Sequence, residues 1–104
     1  ETEAVIVTSF GTFKRVMVGT IPKTARARKG VKIAELGKAE NNECVVYAGV
    51  RSQAERCIYT VVDRIGIIYH VEADDIPVED RTSKGRTVAK IGPCQPLTVY
   101  CARR

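Results

Sequence analysis

Histidine is almost absent from this chain: His70 is the only one, with no Cys, Ser or acidic residue at a catalytic spacing from it. A nucleophile, a base and an orienting group cannot be assembled from such material, so an enzyme is the weakest reading. No apolar run approaches the ~20 residues that cross a bilayer, and no membrane-spanning segment is expected. The opening residues Glu1 to Ala4 lack the basic-then-apolar layout of a secretion signal. The chain also opens without a Met, which suggests a piece of something longer. Cys44, Cys57, Cys94 and Cys101 have neither Cys-x-x-Cys pairing nor His companions at zinc spacing. Free, part-buried thiols in a reducing cytoplasm are therefore expected, with no metal or other cofactor. Asp74-Asp75 and Glu79-Asp80 lack the order of a calcium loop and read as a solvated acidic turn. No aromatics interleave with the basic loops, as single-strand stacking would require, so Tyr47, Tyr59, Tyr69 and Tyr100 are expected in packing. Sustained 3.6-residue periodicity is missing as well.

What is present suits one globular domain: 104 residues, 44% hydrophobic and 28% charged. Seventeen Lys and Arg oppose twelve Asp and Glu, a net +5 that permits a polyanionic partner. The charge is unevenly spread. Residues 14 to 38 hold eight basic side chains and one acid, whereas residues 72 to 80 hold five acids and no base.

An internal repeat organises the chain. A gapless shift of 55 residues makes ten of 49 pairs identical, among them Gly11 with Gly66, Ile21-Pro22 with Ile76-Pro77, Arg26 with Arg81 and Lys29-Gly30 with Lys84-Gly85. Random pairing gives roughly a third of that. Each unit reads as β: strands at Val5 to Val7 and Phe13 to Val18, and at Ile58 to Val62 and Ile67 to Val71, joined by turns in which Gly11 and Gly66 supply a positive φ. A third strand is expected at Val31 to Leu36 or Arg86 to Ile91, and a fourth at Cys44 to Val50 or Leu97 to Ala102. Four strands in about 50 residues, in tandem, is a propeller-like pattern: residues 1–55 as one blade and 56–104 as the second.

The order strand, Gly turn, strand, Ile-Pro, basic loop ending in Lys-Gly, strand resembles the blades of the C-terminal domain of bacterial type IIA topoisomerase A subunits, those of DNA gyrase and topoisomerase IV. The likeness is closest over residues 4 to 36 and looser over 57 to 91. It implies an all-β pinwheel of four-stranded blades that exchange strands and bend duplex DNA around a basic rim, with the catalytic tyrosine and the ATPase on other domains and another subunit. The gyrase box Gln-Arg-Arg-Gly-Gly-Lys-Gly is matched at Arg26, Lys29 and Gly30 and again at Arg81, Lys84 and Gly85, and departed from at the other four positions. That leans towards a topoisomerase IV-like or divergent pair. Two blades are too few for a closed disc, so neighbouring blades or self-association through exposed faces is expected. The resemblance also implies a cytoplasmic, nucleoid-associated setting and the remaining topoisomerase domains as partners.

On physical grounds a rim of Lys and Arg binds duplex by releasing condensed counterions. The candidate contacts are Lys14, Arg15, Arg26, Arg28, Lys29, Lys32, Arg81, Lys84 and Arg86. Gly30 lets a backbone approach phosphate, and Arg offers it a planar fork. Lys14 and Arg15 are adjacent on a strand, so at most one can face the rim. Unpaired blade faces and the acidic stretch support a different class of reading, a protein-interaction module that completes or docks onto another subunit's blades.

Overall fold

The structure, a computed structural model, describes residues 2–20, 44–80 and 82–103. Among the described residues, six strands form two antiparallel sheets. In the first, β2 (Phe13–Met17) and β3 (Val45–Ser52) flank β1 (Thr2–Thr8); in the second, β5 (Ile68–Glu72) and β6 (Pro96–Arg103) flank β4 (Cys57–Asp63). The helical content among the described residues is two three-residue 3-10 turns, Val18–Thr20 and Ala73–Asp75. The chain is all-β, and none of its described helical segments is long and apolar enough to cross a membrane.

The repeat seen in sequence is a repeat of structure. β4, β5 and the second 3-10 turn each lie 55 residues after β1, β2 and the first. Gly11 and Gly66 have φ of 81° and 91°, as the hairpin turns require. Their N–H groups donate to Thr8 O at 3.0 Å and Asp63 O at 2.9 Å. Each central strand carries an irregularity in the same place, between Val7 and Thr8 and between Val62 and Asp63. The outer strands β3 and β6 are instead 51 residues apart.

One expected strand differs in the structure. Arg86 to Ile91 is not a strand: Arg86 makes an isolated bridge to Phe13, after which the chain turns. The reason is local, since Gly92, at φ 70°, and Ile91 both donate to Val88 O and fold the segment back on itself. The other copy, Val31 to Leu36, lies outside the described residues. Each sheet therefore has three described strands, not four.

The segment from Ile76 to Val88 leaves the second sheet and lies along β2 of the first. Phe13 and Arg86 exchange backbone hydrogen bonds of 2.8 and 3.0 Å; Arg15 donates to Pro77 O and Glu79 donates to Arg15 O, both at 2.9 Å. Gly85, at φ 81°, permits this approach, because a Cβ there would sit 2.9 Å from Phe13 O. One core then spans both sheets, uniting Val5, Val7 and Phe13 with Tyr59, Val61, Val71, Ile76 and Val88. Tyr47 meets Tyr59 edge-on, with ring centres 5.6 Å apart.

Asp63 fastens the second hairpin to the connection before β6. Its carboxylate accepts from Ile65 N–H at 3.0 Å and Gln95 N–H at 2.7 Å. These backbone donors hold its pKa below the ordinary carboxylate range. A depressed folded-state pKa adds stability above the unfolded value of about 3.9, which is lost as pH falls through the lower folded value. Asp63→Asn is therefore expected to melt below wild type near neutrality, with the gap closing under acid conditions. Melting curves from pH 7 down to about 2 check this; a gap constant across that range would contradict the assignment.

Candidate nucleic-acid interface

Charge carriers decide whether a polyanion can be held, and the structure divides them into internal and external groups. Lys14 is internal, at 2% exposure. Its Nζ donates to the carbonyls of Asp80 and Ser83, each at 2.8 Å, and so grips the turn that unit two lays on β2. Arg15 faces the other way and is also committed. Its Nε donates to Ile76 O at 2.6 Å and its Nη1 reaches Glu3 Oε2 at 3.3 Å. Glu3 is fully buried and also accepts from Arg51 Nη1 and, at 3.3 Å, from Gln53 Nε2. An unpaired carboxylate could not survive there; two guanidinium partners offset the loss of water. Neither Lys14 nor Arg15 thus faces the rim, where at most one was expected to.

Lys84 and Arg86 are external. Lys84 is exposed, with no ion-pair partner among the described residues. Arg86 is mostly exposed, with Glu79 at 3.5 Å. Such a surface pair is worth at most about 1 kcal/mol and yields readily to a phosphate. Arg26, Arg28, Lys29, Lys32 and Arg81 lie outside the described residues.

Three of the five acids in the acidic stretch have close partners. Glu72 pairs with Arg56 at 3.0 Å and Asp75 with Lys90 at 3.5 Å, while Glu79 faces Arg86 and accepts from Ser83 Oγ at 3.3 Å. Glu72 and Asp75 also close a capping box around the 3-10 turn. Asp74 and Asp80 remain exposed.

Sequence reasoning missed Arg64. It is exposed at the tip of the β4–β5 hairpin, and its backbone N–H donates to Gln95 O at 3.1 Å. Its place in the Asp63-Arg64-Ile65-Gly66 turn was the available signal. Tyr100 also departs from expectation: it lies on the outward side of β6 and is 62% exposed, whereas Tyr59 is buried. Burial, and next the neighbouring Cys101, push the Tyr47 hydroxyl up to about 12. Cys57 and Cys94 are buried, Cys44 and Cys101 exposed, and all four are free. Burial, reinforced by the charge of Asp63, raises the Cys94 thiol and leaves it unreactive.

An open groove of about 540 Å³ separates the two hairpin tips, lined by Phe10, Ile65, Tyr69, Pro93, Cys94, Gln95 and Asp63. Asp63 is already spent on backbone donors, so the groove offers apolar surface rather than chemistry. Among the described residues no three His, Cys, Asp or Glu side chains converge to hold a metal ion. Compared with known proteins, the chain matches no family model, no curated protein and no solved structure.

Proposed function

We propose that the chain is a non-catalytic module that binds and bends duplex DNA, built of propeller-like blades and belonging to a type IIA topoisomerase A subunit. The observation that carries this reading is the exposed Lys84 beside Gly85, in a connection whose sequence counterpart holds Arg26, Arg28 and Lys29 at the matching place of the repeat. Cations at equivalent sequence positions of tandem units would give a polyanion a track with a regular step. Arg86 and Arg64 widen that track, while Lys14 and Arg15 act inside the protein. Phosphate contacts of this kind set affinity without reading bases, so little sequence specificity is expected.

Replacing Arg26, Arg28 and Lys29 together by Glu is expected to abolish binding to duplex, whereas reversing Arg103 and Arg104 costs less. In wild type, the logarithm of affinity should fall steeply against that of salt, by about 0.9 per phosphate contact. Titration of unrelated duplexes at several salt concentrations measures both. Affinity that barely changes with salt, or survives the triple reversal, would defeat the proposal.

A further inference from the structure

The second hairpin ends in a residue that its own turn does not need. Asp63-Arg64-Ile65-Gly66 closes when Gly66 N–H donates to Asp63 O at 2.9 Å, and Ile65 takes the third place of that turn. Gly, Asn, Asp or Ser are the ordinary occupants of turns. Ile65 is 79% exposed, more than any other large hydrophobic among the described residues. Repetition makes it more than a stray apolar side chain. In the first hairpin Gly11 N–H donates to Thr8 O at 3.0 Å, so Phe10 holds the same place of the matching turn, and it is 46% exposed. The second tip is also braced. Ile65 N–H is held by Asp63 Oδ1 at 3.0 Å, Arg64 N–H by Gln95 O at 3.1 Å and Asp63 N–H by Ile67 O at 2.8 Å. A Cβ on Gly66 would meet no described atom within 4 Å. Beside Ile65 stands the exposed Arg64.

A chain of contacts carries this tip to the end of the molecule that holds the surface lysine. Gln95, which accepts from Arg64, follows Cys94, whose backbone abuts Gly11. Phe13, at the tip end of β2, abuts Gly85, the neighbour of Lys84. Exposed cations and apolar tips thus share one end. A duplex drawn in by counterion release meets Ile65 held out on a fixed turn. An apolar side chain gains nothing from phosphate; what a duplex offers it is the face of a base, reached from the minor groove by parting two stacked pairs. Resting on the reading of the chain as a duplex-binding module, we propose that Ile65 is a wedge that enters a base step and kinks the duplex there, with Arg64 on a neighbouring phosphate. The wedge gives the bend a local origin, which phosphate contacts alone do not supply. Parting a step costs least at flexible TA and CA/TG steps and at mismatches, so preference among sites follows deformability and not base identity.

The test compares short duplexes of one sequence, intact or with adjacent thymine mismatches at the centre, each carrying 2-aminopurine beside that place. The wild-type chain is expected to bind both with the same steep salt slope, and the mismatched duplex about tenfold more tightly, because its step is already loosened. The 2-aminopurine should brighten as its neighbours unstack. Ile65→Ser is expected to keep the wild-type circular dichroism and salt slope while losing both the preference and the brightening; Ile65→Phe should keep them. A preference that survives Ile65→Ser overturns the wedge and leaves the duplex-binding reading standing. So does a wild-type chain that binds steeply with salt but treats the two duplexes alike. A folded Ile65→Ser chain that loses affinity for both duplexes equally would make Ile65 a plain contact, and also overturns it. Self-association that Ile65→Ser removes, with the duplex preference untouched, would put a protein on the tip instead. Failure of the wild-type chain to bind either duplex brings down the wedge and the reading beneath it together.

Discussion

Gly11→Ala is expected to lower the melting temperature by about 12 °C or more, and Gly66→Ala by only about 4 to 8 °C. Both glycines hold a positive φ, at 81° and 91°, and an alanine in that region costs about 1 to 2 kcal/mol. For a domain of this size each kcal/mol moves the midpoint by roughly 4 °C. The added cost at Gly11 is steric. An alanine Cβ would run into the Cys94 carbonyl oxygen and lie 3.1 Å from the carbon that bears it. That carbonyl cannot retreat cheaply, because the next residue is held on both sides: Gln95 N–H donates to Asp63 Oδ2 at 2.7 Å and Gln95 O accepts from Arg64 N–H at 3.1 Å. Either the connection leaves Asp63 or the first hairpin opens, and the total reaches about 3 kcal/mol or more. Gly66 has no neighbour to strike, so only the backbone strain remains. Thermal melts of the two variants decide the matter. Equal losses would mean that the first hairpin does not rest on the connection of unit two.

The features legible in the sequence are those fixed by near neighbours. Alternating β-branched residues and a glycine at the turn announced β1, β2, β4 and β5, and the 55-residue shift placed both hairpins in matching positions. The shift does not carry to the outer strands, because the connection to β6 is four residues shorter than the one to β3 and a gapless comparison cannot register that. Arg86 to Ile91 looked like a strand on composition, yet its pairing partner lies on the other unit, and no local pattern encodes that crossing. Charge misled for a related reason. In sequence, Arg15 read as a candidate outward cation; the β1–β2 register and the arrival of Arg51 from β3 draw it into a cluster around the buried Glu3. Arg15 could be recognised as internal only after the sheet was assembled.

Lys14→Met is expected to destabilise the protein by about 2 to 3 kcal/mol while leaving the salt dependence of duplex binding unchanged. Methionine keeps most of the volume, so the loss isolates the ammonium. It gives 2.8 Å hydrogen bonds to the part-buried carbonyls of Asp80 and Ser83, and a bond to a charged donor contributes about 1.5 to 3 kcal/mol. With the ammonium gone, the Ser83 carbonyl faces a thioether that cannot donate, the Asp80 carbonyl keeps only the Ser83 N–H at 3.1 Å, and the turn carrying Lys84 loses this anchor on β2. Counterion release needs a cation at the surface, and a lysine at 2% exposure releases none. Lys84→Ala should do the reverse: little change in melting temperature, and a salt slope shallower by about 0.9 for one lost phosphate contact. Denaturant melts and salt titrations of the two variants, at a temperature where both remain folded, separate the roles. If Lys14→Met flattened the salt slope at no cost in stability, its ammonium would have to lie on the outer surface, and the Ser83 carbonyl would need another donor.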